Sequence, residues 1–447
     1  MIKSLERIIQ LLKNSGTEAT LIRGAGGALF AKILGTGLAF GLQVLLADLL
    51  GAEVYGQYIY VFTWVTILSL LSKLGFDSGS LKFVATYCGQ KKWNLLSGFI
   101  KRTLQITIIV SVLVGIIAAG ITWLLRSKIN IDLLHTFWIG FIALPAMACL
   151  ELYSAQLQAL KRVVLAQIPK MILRPVFLGS SAFITIKLIE YRPSAPLIFG
   201  FEFIIICGAC FIAWRLLSNY LPPEIVQSKV EYQTVEWLRV SSQLLIIAAF
   251  QLILNHTDVL MIGFYCGTTD AGIYSVASMI AKLMILGLVT IDMIVAPMIS
   301  ELYAKDRMAE LQRIVSLAAL GILVISIASG LIIIIFGQFI LGMFGTAFKD
   351  GYLALVIIAS SQMFNALAGS LGFLMTMTRY HSEAAKIIGF SALLNIVLNI
   401  GLIPVYGMAG AAIATAITTV CWNVSMFLFV RKRLNINPTV FSCLKQL

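Results

Sequence analysis

Ionisable and amide side chains stand out where the rest of the chain is apolar. In "FQLILNHTDVLMIGF" Gln251, Asn255 and Asp258 are spaced four and three apart, so a helix carries them on one face, with His256 beside them. Lys282 falls in the middle of another apolar run and shares a helical face with Ser275 and Ser278. Lys32 and Gln43, with Thr36, mark a third polar stripe, and Lys73 closes the run after it. In "LLNIVLNIGLIPVYGMAGAAIATAIT" Asn395 and Asn399 are again four apart. An ionisable group at the centre of a lipid-spanning helix costs about 2.5–3.5 kcal/mol on insertion scales, so by default it faces a protein interior or cavity. Lys282 is therefore expected to line a cavity, with a structural salt bridge as the alternative. Lys32 and Lys73 lie near run ends, where a long side chain reaches the interface by snorkelling or serves a function. Asp258 and Lys282 either pair to hold two helices together or form a pair that opens or titrates. Asn395 and Asn399 are expected to point into a bundle, bonding between helices in preference to contacting a ligand.

The elements that carry these groups follow from composition. The 447 residues are 60% hydrophobic and 12% charged, with a mean hydropathy of +0.95. Soluble domains carry about 25% charged residues, so this is a membrane protein. The apolar runs are long and show no strand-like alternation, which predicts an all-α integral membrane fold and not a barrel. Twelve spans are expected, at roughly 27–49, 57–76, 103–125, 133–156, 166–187, 195–216, 239–262, 271–299, 312–336, 351–377, 384–404 and 408–431. Pro404 and Gly407 are placed at the tight outer turn between the last two. With the N-terminus inside, the cytoplasmic segments hold 25 Lys and Arg and the outer loops 5. That asymmetry puts both termini in the cytoplasm. It also assigns the net charge of +13 to the anionic inner leaflet, with no need of nucleic acid.

Five regions are expected: an amphipathic interfacial helix or tail at 1–22, not a cleaved signal; a six-helix bundle at 23–216; a cytoplasmic linker at 217–238; a second bundle at 239–431; and a tail at 432–447. The halves repeat a pattern. Gly51, Gly56 and Tyr58 in "LLGAEVYGQYIYV" match Gly267, Gly272 and Tyr274 in "YCGTTDAGIYSVA", in the same outer loop of each half. Same-orientation repeats imply a pseudo-twofold axis along the membrane normal and a transporter with its site between the bundles.

Four stretches in register, "LADLLGAEVYGQY", "KLGFDSGSLKFVATY", "DVLMIGFYCGTTDAGIYSVA" and "LNIVLNIGLIPVYGMAGAAIATAIT", resemble the polysaccharide biosynthesis (O-antigen and oligosaccharide flippase) family of the multidrug, oligosaccharidyl-lipid and polysaccharide exporters. The resemblance departs at Asp48, where such proteins often carry a basic residue. It implies a V-shaped pair of six-helix bundles working by alternating access. The implied cargo is an undecaprenyl-pyrophosphate-linked repeat unit of O-antigen, capsule or exopolysaccharide, moved across a bacterial inner membrane as one step of lipopolysaccharide or related synthesis. Implied partners are the lipid-linked oligosaccharide, membrane lipids and polysaccharide polymerase or export proteins. The substrate-binding set expected is Lys282, Asp258, Asn255, Gln251, Lys32, Gln43 and Ser278.

Other classes fit less well. There is no G-x-x-x-x-G-K-[ST] phosphate loop, and the outer loops are too short to house a catalytic domain. His135, His256 and His381 are scattered, so no enzyme and no cofactor is expected. Cys207 and Cys210 form a C-x-x-C inside an apolar run, where cysteine is a packing residue and not a metal or redox site. A multidrug cation antiporter, kept open by Asp258 and Asp292, and a peptidoglycan lipid-precursor flippase are the transport alternatives.

Overall fold

The computed structural model describes residues 17–438; for residues 17–33, and for some positions in 226–227 and 286–297, it describes the backbone alone. The amphipathic stretch at the N-terminus and the last nine residues lie outside that range. The described chain is helical, with no strand. Its elements are α1 (Thr17–Ser72), α2 (Phe76–Gly89), α3 (Trp93–Leu124), α4 (Ile131–Ala159), α5 (Val163–Leu188), α6 (Ala195–Tyr220) and α7 (Thr234–Tyr265), then α8 (Thr268–Lys282), α9 (Ile285–Ala304), α10 (Met308–Gly342), α11 (Tyr352–Ala368), α12 (Leu371–Thr376) and α13 (His381–Leu434).

Among the described residues, nine helices are long and apolar enough to cross a membrane. Two of them are interrupted by a kink at a glycine and are each two helices joined there: α1 at Gly51 (φ 71°, ψ 169°) and α13 at Gly407 (φ 56°, ψ −134°). An L-residue with a side chain rarely adopts either conformation. The expected turn beyond Pro404 is thus made by Gly407. The eighth span is discontinuous: α8 ends at Lys282 and α9 starts at Ile285. The tenth is broken as well, between Ala368 and Leu371. Neither break was visible in the hydropathy. In α5 the backbone is π-helical over Ile168–Leu173 and Ile184–Leu188.

Contacts divide the chain into two compact units, 1–49 with 64–246 and 50–63 with 247–447. The first is centred on an aromatic cluster that includes Phe76, Phe83, Tyr87, Phe99 and Trp237. Trp237 is fully buried, and its indole N–H donates to Tyr87 Oη at 2.9 Å, which anchors the end of the polar linker. Cys149 lies in a neighbouring cluster between α4 and α6, with Cys210 packed against it. The second unit is centred on Ile299, Leu311, Val315, Leu371, Leu374, Met375 and Val430. Many large apolar side chains point outward, Ile116 at 64% and Ile335 at 69% exposure among them. Water penalises such a surface and hydrocarbon does not.

The repeated motif has the same local geometry twice. Gly267, just before α8, has φ 102° and ψ 164°, close to Gly51. Tyr58 and Tyr274, seven residues beyond each, are both buried. Residues 50–63 belong to the second unit, where Gly56 and Gly272 pack backbone to backbone: a Cβ on Gly272 would stand 2.6 Å from Gly56 Cα.

Candidate functional site

The polar face of α7 divides between two environments. Asp258 is 6% exposed and is held by three donors from two helices, one on α8 and two on α13, on either side of Gly407. Tyr274 Oη–H donates to its Oδ2 at 2.7 Å, Thr415 Oγ1–H donates to the same oxygen, and Asn399 Nδ2–H donates to Oδ1 at 2.7 Å. Asn399 also donates to Asn395 Oδ1 at 3.0 Å, and both amides are buried. The four-residue spacing on α13 puts the two amides together, and the turn at Gly407 brings Thr415 back to the same carboxylate. Asn399 therefore bonds between helices as expected, whereas Asn395 accepts within its own helix and lines the cavity described below. The motif tyrosine Tyr274 connects the repeat to this cluster.

Lys282 does not pair with Asp258. Among the described residues neither takes part in an ion pair. The expected salt bridge came from the adjacency of spans 7 and 8. In the fold, Asp258 is already saturated by neutral donors, and Lys282, the last residue of α8, ends at the break. Its ammonium donates to the Asn255 carbonyl at 3.4 Å.

Lys282, Asn255 and Gln251 line one cavity of about 340 Å³, wholly within the second unit. Asn395 and Thr415 also reach its wall, as do Asp292, Gln362, Asn365, Ser370, Trp422 and Asn423. Ser278 is buried and is not part of the wall. Gln43 is half-buried in the first unit, so it is not brought to this cavity. Lys32 lies on α1, but its side chain is outside the described ones.

Lys73 does not snorkel. It is 3% exposed and forms ion pairs with Asp77 at 2.8 Å and with Glu151. Lys170 joins Glu151 from the other side at 3.1 Å, and Arg174 pairs with the fully buried Glu202. This network ties α2, α4, α5 and α6 into the first unit. Removing one member of a buried pair leaves an uncompensated charge, which is strongly destabilising.

The sequence pattern of the polysaccharide biosynthesis protein family matches residues 21–303. The chain belongs to that family. Over 162 residues it is 25% identical to the probable low-salt glycan biosynthesis flippase Agl15 of Haloferax volcanii, and over 166 residues 28% identical to the probable flippase AglR of the same organism. Each match covers 36% of this chain and 34% of the relative, so the chain spans about a third of the length of the curated relatives it matches. The fold is shared with an inward-facing multidrug MATE transporter (TM-score 0.70, 13% identity, 90% of this chain and 94% of the other). It is also shared with the lipid II flippase MurJ in an inward closed conformation (0.60, 15%, 92% and 87%). This family member is thus an all-α, multi-pass membrane protein of the exporter fold.

Sequence reasoning left several wall residues of this family member unused. Gln362 and Asn365 are three apart in an apolar run, which marks one helical face, and Trp422 and Asn423 sit side by side in another. Those signals give a direction on each helix but not a shared destination. Ser370 carried no signal, because the break that exposes it has only Gly369 to announce it.

Proposed function

We propose that the protein is a flippase that moves a polyprenyl-pyrophosphate-linked oligosaccharide across its membrane by alternating access. The observation that carries this is Lys282: a half-buried cation, with no carboxylate within ion-pair distance among the described residues, at a helix break on the wall of a polar cavity. An unpaired charge within an apolar bundle is unfavourable unless a ligand compensates it, and a pyrophosphate headgroup is a suitable one. Family membership and the two archaeal glycan flippases agree with this class of cargo. The prenyl tail stays in the bilayer while the headgroup crosses. The finer form of the reading is an undecaprenyl carrier, O-antigen or a related repeat unit, and a bacterial inner membrane. Asn255 and Gln251 share the wall with Lys282 and are assigned to the headgroup as well. Asp258 shapes the wall through Thr415. Ser278, Gln43 and Lys32 remain proposed contacts for other stages of the cycle, and polymerase or export proteins remain proposed partners.

Surface glycan in a deletion strain complemented with each variant tests the reading. Lys282→Ala should abolish complementation with normal membrane expression, and Lys282→Arg should restore part of it. A second reading, a multidrug cation antiporter, draws on the buried carboxylate of Asp292. Deletion that leaves surface glycan intact but sensitises cells to cationic dyes would select it. The charge asymmetry supports cytoplasmic termini as part of this reading; an alkaline phosphatase fusion at the C-terminus should be inactive, and an active fusion would reverse the topology.

A further inference from the structure

Asp292 is the one charged group on the cavity wall, besides Lys282, that the proposed function leaves unused. It is 1% exposed, yet neither carboxylate oxygen has a hydrogen-bond partner among the described residues. The Ser370 hydroxyl faces the same carboxylate, yet neither group makes a well-formed hydrogen bond to any described residue. Buried polar groups are nearly always satisfied, so a buried carboxylate whose only neighbour of this kind is a poorly aligned hydroxyl requires an explanation. Ser370 sits in the break between α11 and α12, and irregular backbone at membrane depth is tolerated where it lines a cavity or a site.

The rest of this wall has a definite chemistry. Asn423 Nδ2–H donates to Asn365 Oδ1 at 2.9 Å and to the Thr419 carbonyl at 2.8 Å. Asn365 Nδ2–H in turn donates to Gln362 Oε1 at 3.4 Å. That chain orients the amides and leaves the Gln362 amide nitrogen to the cavity. Trp422 adds an indole to the same wall. A carboxylate that accepts two hydrogen bonds, amides and hydroxyls that donate and accept, and one aromatic face form a set that matches a pyranose ring. Vicinal hydroxyls can donate to both carboxylate oxygens, the amides take the remaining hydroxyls, and the C–H face of the ring lies on the indole. The volume of about 340 Å³ falls within the range of small-ligand sites, about 300–1,000 Å³.

We infer that Asp292, Ser370, Gln362 and Trp422 form a sugar-binding subsite inside the second unit, which holds a glycosyl residue of the cargo while Lys282 on the same wall faces its pyrophosphate. The inference rests on the flippase reading and adds to it a place where the glycan is recognised. The subsite makes affinity depend on the sugar and not on the lipid pyrophosphate alone.

The test uses the full-length protein in nanodiscs and lipid-linked oligosaccharide extracted from its own source cells, radiolabelled in the prenyl chain. Half of the assay uses the severed form, the same labelled prenyl pyrophosphate without the glycan, made by synthesis so that the pyrophosphate stays on the lipid. The wild type should retain the intact extract about tenfold more tightly than the severed one. That ratio should fall toward one in Asp292→Asn and Trp422→Leu, and in part in Ser370→Ala, the mildest change and the fallback if the others fail to elute as a single species. A ratio near one in the wild type, or a tenfold ratio kept by properly folded variants, overturns the subsite. If Asp292→Asn weakens both forms alike, and wild-type binding varies with sodium or pH, the carboxylate is a cation site and the inference is wrong. If the wild type retains neither form, the flippase reading fails and the subsite fails with it.

Discussion

Replacing Asp258 with alanine strands three donors that now converge on one carboxylate. Thr415 lines the cavity and can turn its hydroxyl toward it, but Tyr274 is 1% exposed and Asn399 is fully buried, so neither finds water. Two buried donors left unpaired at about 1–3 kcal/mol each, partly offset by relief of carboxylate desolvation, give an expected loss of about 2–5 kcal/mol. Tyr274→Phe removes one hydrogen bond to a charged group and should cost about 1.5–3 kcal/mol. In the double variant the phenylalanine leaves no hydroxyl to orphan. The two losses should therefore fail to add, with a coupling of about 1.5–3 kcal/mol. Reversible unfolding in mixed micelles, followed by tryptophan fluorescence and helical circular dichroism, measures all four corners of the cycle. A coupling below about 0.5 kcal/mol would mean that Tyr274 and Asp258 act independently, and the argument for a motif tyrosine holding the acid would fall.

Two further expectations use the same measurement. Gly56→Ala places a Cβ 2.1 Å from the Thr268 carbonyl oxygen, a backbone atom that cannot step aside, and should destabilise by about 1–3 kcal/mol; Gly37→Ala, with nothing within 4 Å, should be neutral or stabilising by up to about 1 kcal/mol, so equal effects at both sites would refute the close approach. Asp270, at the start of α8, has its carboxyl pushed above the ordinary aspartate value, first by burial and then by Asp350. The folded chain then holds that proton more tightly than the unfolded chain, so the associated stability is present below the ordinary aspartate pKa and is lost as pH rises through the raised folded value. Asp270→Asn should gain on the wild type at neutral pH and lose that advantage in acid; parallel stability curves would contradict the shift.

The sequence by itself determined which segments are apolar and where they turn. Hydropathy and helical spacing are local quantities, so the long helices, the kinks at Gly51 and Gly407, the pairing of Asn395 with Asn399 and the family were all legible in it. The repeated glycines and tyrosines were legible for the same reason, because a required φ and a buried ring each constrain a single position. Tertiary structure alone decided what each polar face meets. Asp258 meets Tyr274, Asn399 and Thr415 instead of Lys282, and Lys73 meets Glu151 instead of the interface. The breaks at 283–284 and 369–370 were equally hidden, since the residues at the first are as apolar as those around it. Asp292, Gln362, Asn365, Ser370 and Trp422 come from three different helices and one helix break. The spacing within a helix fixes the direction of a side chain, but the neighbour it meets there depends on how distant segments pack, and no local pattern encodes that.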